Sequence, residues 1–191
     1  MDKLELMKLL NEVSEDDLKL GAIRRLGPYV DDAKVLDALC HEAIDTVSPC
    51  VRDELIRTLK GNRGEANRRF SRTAICAKNP THRRWALINL SLMECDDAKE
   101  AVIQGLRDTH RSVRFAAAFN AGLYYDSDVV NALELFFERN RFLLVLDGLC
   151  RAGKPLLPLI EKVKKIHREY YHHDEPKGEA TPMPGSPITF G

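Results

Sequence analysis

At 191 residues and 21.6 kDa, the chain suits one domain with a continuous core. Its 44% hydrophobic and 30% charged residues exclude a disordered polymer. No apolar stretch reaches the roughly 18 to 20 uncharged residues that a bilayer span needs, so no membrane partner is expected. The zero net charge conceals segregation: residues 1–47 carry −5, 48–84 carry +7, 85–138 carry −5 and 139–191 carry +3. A basic middle between acidic neighbours is the main electrostatic feature.

The N-terminal "MDKLELMKLL" alternates acid and base where a secretory signal has a basic end and an apolar block, so a cytoplasmic protein is expected. Residues 2–12 predict a capping helix. From there an internal repeat organises the chain. Leu18, Ala22 and Leu26 share the spacing of Val51, Leu55 and Leu59; of Arg83, Leu87 and Ser91; of Val113, Ala117 and Ala121; and of Leu144, Gly148 and Ala152. Starts at 18, 51, 83, 113 and 144 give five units with a period near 31.

Within each unit, apolar residues at i, i+4 and i+8 form one helical stripe. A polar break then leads to a second amphipathic stretch, such as "DDAKVLDALCHEAI", "DDAKEAVIQGLRD" or "DSDVVNALELFFE". Asp, Ser or Asn before these stretches suits an N-cap. Each unit therefore reads as a helical hairpin, and small residues such as Ala117, Ala121 and Gly122 permit close helix approach. A lone hairpin cannot bury both apolar faces, so stacked neighbours must complete the core. The expected fold is an all-α, right-handed α-solenoid spanning 1–169, with units starting near 15, 48, 80, 110 and 141. A Pro- and Gly-rich extended tail is expected over 170–191.

The segments "DTHRSVRFAAA" (108–118), "NPTHRRWAL" (79–87) and "SPCVRDEL" (48–55) make the chain resemble the HEAT-repeat family. The likeness is greatest to the short-unit form of phycobilisome-lyase-like repeats. The resemblance implies a hydrogen-bonded ladder between units, with Arg52, Arg84 and Arg114 as ladder arginines and Asp108 and Asp45 as their acids. It implies little about function, because such repeats serve many.

The five cysteines, Cys40, Cys50, Cys76, Cys95 and Cys150, show no metal-finger spacing and read as reduced, half-buried helix residues. One His-Glu pair, His41-Glu42, falls short of the several converging pairs that a HEAT-like iron hydroxylase carries. The tail cluster of His167, His172, His173, Asp174 and Glu175 reads as a frayed helix end. No metal site, cofactor or catalytic constellation is expected.

The candidate binding site is "RGEANRRFSRTAICAKNPTHRR", 63–84. There Ala66, Phe70, Ala74 and Ala77 share one helical face, while Arg68 and Arg72 project from the other with Glu65. Arg63, Arg69, Arg83 and Arg111 extend the expected partner-binding set. Neighbouring second helices turn acidic, whereas a duplex presents one charge per roughly 1.7 Å of axis and needs continuous basic cover. The mixture suits a protein, possibly an acidic one. The expected function is a non-enzymatic adaptor or scaffold that binds a protein through its concave face. The alternatives are a nucleic-acid binder similar to the DNA alkylation-repair HEAT-like proteins, and a lyase-type or cofactor-handling HEAT protein.

Overall fold

The computed structural model describes residues 2–93, 95, 98–121, 124 and 127–140. The expected fifth unit, the tail and its His cluster, Gly122 and Cys150 lie outside the described residues. Among the described residues all regular structure is helical. In chain order the helices are α1 (Lys3–Glu12), α2 (Asp16–Leu26), α3 (Ala33–Asp45), α4 (Pro49–Leu59), α5 (Arg63–Cys76), α6 (Pro80–Leu92), α7 (Lys99–Leu106), α8 (Arg111–Ala121) and α9 (Ser127–Asn140). Short 3-10 turns at Gly27–Tyr29 and Lys60–Asn62 follow α2 and α4.

Local chemistry sets where the helices begin. Asp2 accepts from the Glu5 N–H at 2.9 Å while Glu5 accepts from the Asp2 N–H at 2.7 Å, which satisfies two amides that the helix leaves open. Asp32 caps α3, Ser48 caps α4 and Asn79 caps α6. Pro49 and Pro80 follow the last two caps, where the missing N–H costs nothing and the fixed φ is already helical. Asn79-Pro80 thus does the same work as Ser48-Pro49.

The helices pack in two interleaved series. α1, α3, α5, α7 and α9 each touch the next in that order, α2 lies on α4 and α6 on α8, while α3, α5 and α7 cross to α4, α6 and α8. Each buried stripe recurs at matching positions: Val35, Ala66, Ala98 and Val129 in one row, and Leu39, Phe70, Val102 and Leu133 in the next. α1 buries Leu6 and Leu10 against this core and packs on α2 and α3.

The register of the third unit differs from the sequence alignment by one residue. Leu55, Ala86 and Ala117 are fully buried at successive positions, as are Leu59, Leu90 and Ala121, whereas Ser91 is half-buried and Arg83 reaches the surface. The physical reason is that α6 touches α3, α5 and α8. It therefore buries the adjacent Ala86 and Leu87 together, and so broad a stripe does not settle phase. α5 also stops short of expectation, with Ala77 as its C-cap and half-exposed.

Close packing concentrates where α7 meets α6 and α8. A Cβ on Gly105 would stand 2.8 Å from Ala117 Cβ and 3.0 Å from a Leu87 methyl. Gly105→Ala is therefore expected to lower unfolding free energy in urea by about 1–2 kcal/mol, although alanine favours helix by about 1 kcal/mol. A stabilised variant would mean that α7 and α8 can move apart freely.

Candidate protein-interaction surface

The arginines divide into those that hold the frame and those that face solvent. Arg52, Arg83 and Arg114 stand 31 residues apart, and each donates to the carbonyl six residues earlier. Arg52 reaches the Thr46 carbonyl, Arg83 that of Ala77 at 2.8 Å and Arg114 that of Asp108 at 3.0 Å. These carbonyls lie in the connections between α3 and α4, α5 and α6, and α7 and α8, pairs of helices that pack on one another. Each guanidinium closes that connection, with its donor fork matched to backbone acceptors.

Arg83 also grips the Asp108 carboxylate through two bonds, Nε to Oδ2 at 2.6 Å and Nη2 to Oδ1 at 2.9 Å. This joins the start of α6 to the connection before α8 with a fork-to-fork pair. Burial pushes the Asp108 carboxyl up. The Arg83 bond, the His110 N–H and the Arg83 charge together outweigh it and hold Asp108 below the usual carboxylate value. The same pairing, opposed by burial, raises Arg83.

Four assignments change accordingly. Arg83 occupies the frame position of the third unit, so it is not a solvent-facing partner residue. Arg84 is not the ladder residue: it is exposed, 5.1 Å from the Trp85 ring centroid. Asp45 holds His41 Nδ1 at 3.0 Å and His82 Nε2 at 3.3 Å rather than a ladder arginine. Arg114 takes the backbone of Asp108, whose carboxylate goes to the preceding unit.

Arg52 lacks a carboxylate, because the position matching Asp108 is Ala77. It stacks instead at 3.8 Å over Trp85. Burial lowers its pKa and the Arg84 charge adds to this, with Asp53 opposing. Its Nε has no hydrogen-bond partner among the described residues. Trp85 and Asn89 serve the frame. Trp85 carries Arg52, and buried Asn89 donates to the Ala43 carbonyl at 3.0 Å.

On α5, Ala66, Phe70 and Ala74 face the core while Arg63, Arg68 and Arg72 are exposed. Arg69 is not a free partner residue, being only 22% exposed. It bonds Asp37 on α3 at 2.5 Å and also Glu65. Arg68 pairs with Glu65 through Nε at 2.7 Å. That bond, opposed by burial and assisted by the Arg69 charge, holds the Glu65 carboxyl below its usual range. Arg72 makes no hydrogen bond or ion pair among the described residues. Arg111 is exposed, with its guanidinium 5.2 Å from the Phe115 ring centroid.

The buried rows of α3, α5, α7 and α9 place Arg68 and Arg72 in a larger set, whose other members the sequence pattern had not singled out as binding residues. Asp37, Arg68, Glu100 and Asn131 occupy one matched position and His41, Arg72, Gln104 and Leu135 the position one turn later; all eight are exposed. Beside them a cleft of about 520 Å³ is lined by Asn11, Asp37, Ala38, His41, Glu42 and Asp45. The signal lies in the sequence as a period of 31 or 32 residues between Asp37, Arg68, Glu100 and Asn131. Side chains of both signs and several neutral hydrogen-bonding groups suit recognition of a mixed polar surface.

Cys40 and Cys95 are buried, whereas Cys50 and Cys76 are exposed rather than half-buried. Burial pushes the Cys40 thiol up to about 12, leaving it without thiolate character at neutral pH. Among the described residues no group of three His, Cys, Asp or Glu side chains is placed to hold a metal, and no helix is long and apolar enough to cross a membrane. No protein-family model and no curated protein matches the chain.

Proposed function

We propose that the chain is a HEAT-like, right-handed α-solenoid of about five hairpins. It acts as a non-enzymatic adaptor in the cytoplasm and binds a protein partner on the face lined by α3, α5, α7 and α9. The observation that carries this reading is the recurrence of exposed side chains at matched positions on these successively packed helices, from Asp37 and His41 to Asn131 and Leu135. Stacked repeats create extended surfaces of this kind, in which each unit adds a few contacts. Among the described residues Arg72 is a cation of this face that makes no ion pair, whereas Glu65 and Asp37 engage Arg68 and Arg69.

The same pairing weakens the nucleic-acid alternative. A phosphate backbone would meet a basic patch largely neutralised from within, then Glu100 on the next helix. The test is capture of partners from the native cell by wild type and by a double variant, Arg68→Glu with Arg72→Glu. Both positions are exposed, so stability should change by no more than about 0.5 kcal/mol while the captured set is lost. An unchanged set from a folded variant would remove this face from the function.

A further inference from the structure

We infer that the partner segment is extended and carries charges in the order basic, acidic, basic, its acid meeting Arg72 and its bases meeting Asp37 and Glu100 on the flanking helices. This rests on the face proposed above and adds the partner's chemistry. Three observations converge on it. Arg72 is exposed and without a hydrogen bond or ion pair among the described residues. Asp37 is 66% exposed and uses only Oδ1 on Arg69. Glu100, in the first turn of α7, is exposed and has no hydrogen bond or ion pair among the described residues. Charge therefore alternates across α3, α5 and α7, and a partner of one sign would gain at one helix and lose at the next.

Spacing selects the conformation. Packed helices lie about 8–10 Å apart, and a polyproline II segment rises about 9.3 Å per three-residue turn, presenting every third side chain on one face. A segment crossing the helices thus offers one side chain to each in the pattern basic-x-x-acidic-x-x-basic, with Arg72 reaching the acid from one turn beyond the row of Asp37 and Glu100. The side-chain amide N–H groups of Gln104, one turn from Glu100 and exposed, stand ready for the backbone carbonyls that such a segment leaves unpaired. Polyproline II makes no internal hydrogen bonds, so its carbonyls remain open to these donors.

The experiment uses the full chain and fluorescein-labelled synthetic peptides, read by anisotropy at low salt. Lys-Pro-Pro-Glu-Pro-Pro-Lys is expected to bind about tenfold tighter than the charge-reversed Glu-Pro-Pro-Lys-Pro-Pro-Glu. In the Arg72→Glu chain the first peptide should weaken about tenfold, and Lys-Pro-Pro-Lys-Pro-Pro-Lys should recover the loss. Equal binding of the two orders, tighter binding of the reversed one, or no binding of either overturns the charge order. If Arg72→Glu then still abolishes capture of the native partner, the face stands and only its partner chemistry falls. If Arg72→Glu alters neither peptide binding nor capture, both fall. A single-stranded oligonucleotide that binds tighter than every peptide would overturn the inference in favour of a phosphate ligand.

Discussion

Phe70→Ala is expected to lower the unfolding free energy by about 3–5 kcal/mol, the largest loss from any single truncation on this face of α5. Phe70 is fully buried on a helix that touches α3, α6 and α7. Its matched positions hold Leu39, Val102 and Leu133, each smaller. The removed ring loses its transfer free energy, and the remaining cavity adds the contacts forfeited by its lining. For a chain of this length each kcal/mol shifts the melting midpoint by roughly 2–4 °C, so a fall on the order of 10 °C should appear by calorimetry. A loss below about 1 kcal/mol would show that the neighbouring rows collapse into the space.

Asp108→Ala is expected to cost about 2 kcal/mol, because it strips two charge-assisted bonds from Arg83 and the side-chain acceptor from the His110 N–H. The pair is 14% and 10% exposed, so solvent screens it little. Its loss should also change the response to acid. The folded Asp108 carboxyl titrates below its ordinary value of 3.8, and the unfolded chain therefore takes up that proton first as pH falls. The stabilisation is complete above the ordinary value and disappears as pH drops through the depressed folded value. Asp108→Asn should accordingly be less stable than wild type at pH 7, and the gap should narrow as pH falls below the ordinary value of 3.8. Urea titrations above and below that value test this, and parallel pH profiles would show that Asp108 contributes no proton linkage.

The helical character was readable from residue pattern because successive helices repeat their local chemistry. Ser48-Pro49 and Asn79-Pro80 announce helix starts through capping and a fixed φ, which need no distant partner. Buried rows recur because each helix faces similar neighbours, so Leu55 and Leu59 forecast Ala117 and Ala121. The frame arginines were harder. Arg83 and Arg84 are chemically identical neighbours, and what separates them is the reach of one guanidinium to the Ala77 carbonyl and the Asp108 carboxylate. Choosing between them requires the turn after α5 and the connection before α8 to be placed together in space.

The candidate surface shows the same division. That Arg68 and Arg72 lie opposite Ala66, Phe70 and Ala74 follows from the helical period alone, since residues three and four apart share a face. That Arg69 belongs to the frame depends on Asp37, 32 residues away, and periodicity within one helix says nothing about a neighbour's carboxylate. By itself the sequence determined an all-helical chain with capped helix starts and a basic stretch over 48–84, because these arise from local backbone chemistry and side-chain spacing. Only the tertiary structure decided which arginines are neutralised and which meet solvent, because a charge finds its partner through packing between helices.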